Sequence, residues 1–264
     1  MTKDTLWDRF LKPFFNAFLL DKEQLQQTQR AIDWDVEIQE LRDPSINYPQ
    51  YYKNQNFHGI SGGYLSSTAA ITYDPITQYV LPPNEALLRQ ALLDRIVGYP
   101  KKIIDLGCGT GSGTLLLKRR FPDSQVIGID LSPYMLAMAR YRAKQKNLII
   151  DWRQGIAENT TLASGSVNLI TVSLVFHELP TQIIKSVLAE AFRLLVPGGQ
   201  ILIFDGNQEL ISRTSWLTSI FEEPYIREYA QGNLDAWLSS LGFVEVKTED
   251  LWLVHQISRA VKPA

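Results

Sequence analysis

Residues 101–113 read Lys101-Lys102-Ile103-Ile104-Asp105-Leu106-Gly107-Cys108-Gly109-Thr110-Gly111-Ser112-Gly113. The apolar run ending at Leu106 predicts a buried strand, and Ser112–Phe121 predicts a helix. Between them glycine stands at four alternating positions, 107, 109, 111 and 113. Such a turn bends sharply, brings backbone close to a ligand, and opens a helix whose first N–H groups are free to bind one. The spacing is G-x-G-x-G. A dinucleotide loop wants G-x-G-x-x-G, and a frame started at Gly109 puts Thr114 where its last glycine belongs. Asp105, at the strand end, would repel a diphosphate and suits a ligand carrying an amine or another positive charge.

Twenty-five residues after Asp105, Val126-Ile127-Gly128-Ile129-Asp130 closes a second predicted strand, Gln125–Asp130. A carboxylate at this place in a doubly wound sheet accepts from both hydroxyls of a ribose. Cationic and dinucleotide ligands would both use it, so Asp130 does not separate them. Its other reading is a cap for the next helix, Pro133–Lys146, a role that Ser132 fills more naturally, with proline at the first helical position.

Outward from these motifs the chain alternates. A helix is expected over Glu85–Ile96, strands over Lys101–Leu106, Leu148–Arg153 and Val167–Ser173, and a helix over Thr181–Leu195. A turn follows at Pro197-Gly198-Gly199, then a strand over Gln200–Asp205, a helix over Leu234–Leu241, and late strands over Phe243–Lys247 and Trp252–Ser258. Strand–helix alternation argues an α/β fold with a mostly parallel sheet, helices on both faces and right-handed crossovers.

The segment before residue 85 is different, and the expected division is a covering segment over 1–84 and a nucleoside-binding domain over 85–264. Leu6, Phe10, Phe14 and Phe18 recur at helical spacing, broken or started at Pro13. The favoured reading is a helix packed on the main domain; the sharper one is a lid or a helix lying on a membrane surface. Residues 22–42 are polar and helix-prone. Residues 43–84 hold seven glycines and prolines up to Pro82, then Pro83, and eight aromatic or histidine positions from Tyr48 to Tyr79. Stretches this long without regular pattern are functional or disordered, and the aromatic density disfavours disorder. It reads as an irregular but ordered segment that walls a pocket, with His58, Tyr64 and Tyr73 as candidate substrate contacts.

The bulk numbers exclude other classes. A net charge of -2 with pI about 6.0 gives no basic field to draw nucleic acid. One cysteine, Cys108, allows no intrachain disulfide, and three dispersed histidines support no metal site. No apolar run reaches the ~20 residues of a bilayer span, and no signal peptide is apparent, so the cytoplasm is the expected compartment. Gly111-Ser112-Gly113 lacks the spacing of a serine nucleophile elbow.

Four stretches together resemble the class I S-adenosylmethionine-dependent methyltransferases: IIDLGCGTGSGT (103–114), VIGIDLSPYML (126–136), GIAENTTLASGSVNLITVSLVFHEL (155–179) and LLVPGGQILIFD (194–205). The style is that of the small-molecule branch that includes quinone methyltransferases. The resemblance implies a Rossmann-like, seven-stranded sheet whose last strand inserts antiparallel. It implies S-adenosylmethionine as cofactor, with Asp105, Gly107 and Gly109 facing its methionine part and Cys108 and Gly111 also among the cofactor-binding residues. Asp130 would hold the ribose, Leu131 and Met135 would sit beside the adenine, Ala157 and Glu158 at its edge, and Leu174 would border the methionyl tail. One departure stands out. Many relatives have aspartate where this chain has Ile156, which cannot accept from the adenine amino group, so Glu158 is the candidate to compensate.

The function this implies is methyl transfer to a small, apolar or aromatic molecule. The alternatives are a cofactor-binding protein without turnover, a protein or RNA methyltransferase, and a dinucleotide oxidoreductase, which Asp105 and the glycine spacing oppose. Methyl transfer needs alignment and exclusion of water more than it needs a catalytic side chain. His177, after the fourth strand, is the candidate base or substrate contact; its other reading is a structural histidine bonded to Glu178 or to backbone. His255, inside a late strand, reads as packed or solvated.

Overall fold

The structure, a computed structural model, describes residues 21–264 apart from 54, 58–59, 61, 81–83, 215–223 and 253. The helix expected over 5–20, its lid or membrane role, and His58 lie outside the described residues.

Helices α1 (Lys22–Ala31), α2 (Trp34–Leu41), α3 (Ser67–Val80) and α4 (Glu85–Asp94) precede the first strand. Then come β1 (Lys102–Leu106), α5 (Ser112–Arg120), β2 (Gln125–Asp130), α6 (Pro133–Gln145), β3 (Asp151–Gln154) and β4 (Val167–Ser173). A 3-10 turn over Phe176–Glu178 leads to α7 (Thr181–Leu194), β5 (Leu195–Gly206), α8 (Gln208–Arg213), α9 (Ile226–Ala230), α10 (Leu234–Ser240), β6 (Val244–Leu251) and β7 (His255–Val261). The strands form one seven-stranded sheet in the order β3-β2-β1-β4-β5-β7-β6. β1 to β5 run parallel, and β7 is antiparallel to both β5 and β6.

This order places the site. The chain steps from β1 to β2 and β3 on one side, then returns to lay β4 on the other side of β1. The crevice between the C-terminal ends of β1 and β4 is where ligands bind in such sheets.

Side-chain alternation supplies a core on each face. Ile104, Ile127, Ile170 and Ile201 pack with Val187, Leu188 and Leu194 of α7. Their neighbours Ile103, Val126, Leu169 and Leu202 pack with Leu88 and Leu92 of α4 and Leu117 of α5. Ser132 caps α6 as expected, accepting from Met135 N at 3.3 Å.

Several boundaries differ from the expectations. The front is not irregular throughout: α3 runs fourteen residues through Pro75. Its Thr and Ile positions and the proline hid it, because proline removes one intrahelical bond and crowds the preceding turn. The expected turn at 197–199 is a kink inside β5. Gly198 takes φ +75, and the β4 pairing jumps from Val167↔Leu195 to Leu169↔Gln200. β3 is shorter than expected because Leu148 and Ile149 stay outside the sheet, with Ile149 exposed. The late strands start one and three residues on and run further, because polar Thr248, Glu249 and Asp250 still pair with β7 along the sheet edge. α8 and α9 were not expected.

The front packs on α6 and on the glycine loop. Arg140 of α6 pairs with Glu37 and, at 2.9 Å, with Glu40 of α2. Gln154 at the end of β3 accepts from Asp43 N at 2.7 Å and donates to Leu131 O at 2.9 Å. Ser132 Oγ donates to Tyr64 O at 2.6 Å.

Candidate active site

A cavity opens at the C-terminal ends of β1, β2 and β4 and is closed from the front by the tyrosine segment. Its lining includes Asp105, Gly107, Cys108, Gly109, Asp130, Leu131, Met135, Ala157, Glu158, Leu174, Tyr64 and Tyr73, all candidates from the sequence. It also includes Tyr51, Tyr52, Arg89, Thr110, Ser112 and Ser173, which sequence reasoning did not single out.

Asp105 is buried, and both carboxylate oxygens are engaged. Thr114 Oγ1 donates at 2.6 Å and Thr171 Oγ1 at 2.7 Å. Burial pushes its carboxyl above the ordinary range, and the two threonines partly offset this. Each oxygen keeps a second lone pair for a donor in the cavity. Asp130 accepts from Gly109 N and Ser132 N, both at 2.8 Å, so one side chain fixes the glycine loop and the start of α6 together. Burial raises it to about 6, against the pull of those two N–H groups.

The glycines divide by task. A Cβ on Gly109, at φ +52, would meet nothing within 4 Å, so its bare face looks into open cavity. A Cβ on Gly107 would lie 2.5 Å from Val175, and one on Gly111 would lie 2.8 Å from Trp152. Gly111 does not line the cavity; it starts α5 and makes room for the indole, which also fills the space over Gly128. The expectation that Gly111 faces the ligand is therefore corrected: tertiary packing, not ligand approach, excludes a side chain there.

At the adenine-edge position expected from the sequence, Glu158 Oε1 accepts from Tyr51 Oη at 2.6 Å, while its Oε2 is buried without a partner. Ser173 Oγ, at the tip of β4, is also buried and unpartnered. Leu174 follows at φ +59, a left-handed turn that costs about 1 kcal/mol for a residue with a side chain. That turn aims Val175 N and Phe176 N at Asp205 Oδ2, at 3.2 and 2.8 Å. Arg89 is buried beside Asp105 and is held by Glu85, Nε to Oε1 at 2.7 Å. The cysteine thiol of Cys108 is buried and pushed well up, so it is not a nucleophile.

His177 does not line the cavity. It is buried, and its Nδ1 sits 2.6 Å from Asp205 Oδ1. Asp205 is thus one partner of the imidazole, and sequence reasoning did not name it. His255 is packed within β7, and burial lowers it to about 4. Among the described residues no cluster could hold a metal ion.

A family profile described as a methyltransferase domain matches residues 103–199, the span from β1 to the kink of β5. Over that span the chain carries a methyltransferase domain. Curated relatives include the demethylmenaquinone methyltransferase of Thermus thermophilus, 33% identical over 106 residues, which are 40% of this chain and 47% of that one. A malonyl-[acyl-carrier protein] O-methyltransferase of Hahella chejuensis is 35% identical over 136 residues, 52% of this chain and 46% of that one. The chain thus spans about half the length of these relatives. Among solved structures, a phosphoethanolamine N-methyltransferase of Haemonchus contortus in complex with S-adenosylmethionine superposes with TM-score 0.60 at 19% identity, covering 76% of this chain and 58% of that chain. That likeness shows the shared Rossmann-like fold.

Within the matched span, Asp105, Gly107, Gly109 and Asp130 line the cavity from the sheet side. Tyr51, Tyr52, Tyr64 and Tyr73, which line the cavity from the front, lie outside the matched span. No helix among the described residues is long and apolar enough to cross a membrane.

Proposed function

We propose that this chain binds S-adenosylmethionine in the cavity and transfers its methyl group to a small molecule held against the tyrosine wall. The observation that carries the reading is the set of buried acceptors aimed into one cavity. Asp105 and Asp130 stand at neighbouring strand ends, and Glu158 Oε2 and Ser173 Oγ lack partners. An unpaired buried acceptor costs about 1–3 kcal/mol, so a ligand that supplies donors to these atoms recovers that cost.

The residues fit the cofactor part by part. Asp130 takes the ribose hydroxyls, and the bare face of Gly109 leaves room for the methionine part. Asp105 and Ser173 receive the ammonium, and Arg89 supplies a cation for the α-carboxylate beside it. Glu158, oriented by Tyr51, accepts from the adenine amino group in place of the aspartate that Ile156 displaces. Bound there, S-adenosylmethionine supplies a methyl carbon activated by its sulfonium. The chain's task is alignment and exclusion of water. The aromatic front, an acceptor wall separate in role from the sheet domain, suits a small apolar or aromatic acceptor.

Calorimetry with S-adenosylhomocysteine, its inosine analogue and NAD tests the reading. The expected order is tight binding of the adenine compound, at least tenfold weaker binding of the inosine compound, and none of NAD. Uptake of NAD with no heat from S-adenosylhomocysteine sinks it. Mass spectrometry of cell extract incubated with isotopically labelled cofactor then identifies the acceptor.

A further inference from the structure

The Tyr52 hydroxyl is an unanswered donor on the front wall. Tyr52 lines the cavity, and its Oη is buried without a partner. Leaving such a group unbonded costs its desolvation, whereas phenylalanine would fill the same space without that cost.

Its place along the wall is fixed by packing. The Tyr52 ring stacks on Tyr48 at 6.1 Å and meets Phe57 at 5.7 Å, and Phe57 is 1% exposed. Tyr48 Oη accepts from Gln154 Nε2 at 3.3 Å, and the same amide nitrogen donates to Leu131 O at 2.9 Å. Gln154 is the register partner of Asp130 across β2 and β3, and Leu131 follows Asp130 in the chain. These rings are therefore bolted to the strand end that carries Asp130. The other end of the wall is tied elsewhere: Tyr73 belongs to α3, whose Asp74 accepts from Thr110 and Ser112 of the glycine turn. The Tyr52 phenol reflects the same neighbourhood. Burial, and after it the charge of Asp130, pushes it well up, so the hydroxyl stays neutral and keeps its proton to donate.

A sugar hydroxyl between Tyr52 and Asp130 answers both groups. Asp130 accepts from Ser132 N through Oδ1 and from Gly109 N through Oδ2, which leaves each oxygen a further lone pair. A ribose hydroxyl that donates to Asp130 keeps two lone pairs of its own, and in a dry site it needs a donor on its far side. A carboxylate cannot be that donor; a neutral phenol can. The bonds then run one way, from Tyr52 Oη–H to the sugar oxygen and from the sugar O–H to the carboxylate, and each strengthens the next.

Resting on the S-adenosylmethionine reading above, we infer that Tyr52 is a further cofactor-binding residue, its hydroxyl donating to a ribose oxygen whose own proton goes to Asp130. The nucleoside is thus gripped from both walls. With Tyr51 bonded to Glu158, the rings of Tyr64 and Tyr73 remain as the acceptor's part of the front.

The test titrates S-adenosylhomocysteine and its 2′-deoxy and 3′-deoxy analogues into the full chain and into Tyr52→Phe by calorimetry, and melts both proteins without ligand. Tyr52→Phe should bind S-adenosylhomocysteine about tenfold more weakly. For the deoxy compound that lacks the contacted oxygen, the two proteins should agree within about twofold, because the bond is absent from both. Without ligand the variant should melt at or above the parent's temperature, since it loses an unpaired buried donor and keeps the ring. An affinity for S-adenosylhomocysteine unchanged within about twofold, an equal loss for all three compounds, or a lower melting temperature without ligand overturns the inference. A parent chain that does not bind S-adenosylhomocysteine strikes the cofactor reading instead, before the variant is compared.

Discussion

On the sheet side of the cavity, the chain is held by its backbone. Strands β1, β2 and β4 are in register with one another, Asp130 is pinned by two N–H groups, and Asp105 by two buried threonines. On the front side, the tyrosines are held by ring contacts and a few side-chain clasps. The main clasp is Asp74 of α3. It accepts from Thr110 Oγ1 at 2.8 Å, Ser112 Oγ at 2.9 Å and Arg142 Nη1 at 2.7 Å. One wall is over-determined by a sheet that must form for the chain to fold at all. The other depends on side chains that can change one at a time. The first suits the part of a ligand that is held in one fixed way, the second the part that can differ.

The strongest way to break this contrast is at Asp130. Asp130→Ala removes the acceptor proposed for the ribose and releases Gly109 N and Ser132 N. Two hydrogen bonds to a charged acceptor are worth about 3 kcal/mol or more together, so affinity for S-adenosylhomocysteine should fall at least about a hundredfold. Calorimetry reads it, and a loss under tenfold would mean the ribose is held elsewhere.

A gentler perturbation of the same residue is pH. Burial raises the Asp130 carboxyl to about 6. Above that pH it is the charged acceptor that the proposed ribose contact needs; below it the carboxyl is protonated and one acceptor oxygen becomes a donor. Affinity should therefore be level from pH 8 to 7 and drop about tenfold by pH 5. A flat profile across that range argues that binding does not discriminate between the two forms.

The clasp gives a smaller effect on the opposite wall. Asp74→Ala leaves the sheet untouched but frees α3 and the Thr110–Ser112 turn. Because Asp74 and Arg142 are partly exposed, the loss in stability should be about 1–2 kcal/mol, a Tm lower by a few degrees. Cofactor affinity should weaken only severalfold, and hydrogen exchange should quicken over 67–80. Unchanged exchange there would show that ring packing alone secures the wall.

The contrast also sets what could be read from the sequence. β1, β2, the glycine turn, Asp105 and Asp130 were legible because backbone geometry dictates residue type locally: φ +52 at Gly109 and a cap at Ser132 leave signatures at their own positions. Gly111 shows the limit of that logic. Its glycine was visible, but its reason, the Trp152 ring forty-one positions on, was not. Arg89 was missed because a helical arginine is ordinarily solvated, and only its burial against Glu85 marks it. α3 was missed because its punctuation by Pro75 is local while its support is tertiary. Tyr51 and Tyr52 stood in a segment recognised as a wall, yet nothing in sequence told which of eight rings would face inward.

His177 tests whether the sheet wall also supplies chemistry. Its place after β4 suggested a base, but the structure ties its Nδ1 to Asp205 and leaves it out of the cavity lining. Asp205 accepts as well from Val175 N, Phe176 N and Gly206 N, the last at 2.7 Å, so the pair organises the turn that carries Leu174 and Val175 to the cavity. A positioning residue of this kind predicts a split between two substitutions. His177→Ala loses a charge-assisted bond and leaves a void, costing about 2–3 kcal/mol of stability. His177→Asn keeps an N–H for Asp205 and should recover much of that loss, with transfer of labelled methyl into an extract within about threefold of the parent. A base would behave otherwise: both variants would lose about a hundredfold in turnover while S-adenosylhomocysteine bound as before. Asparagine, which can hold the turn but cannot take a proton at neutral pH, is thus the substitution that decides between the two roles.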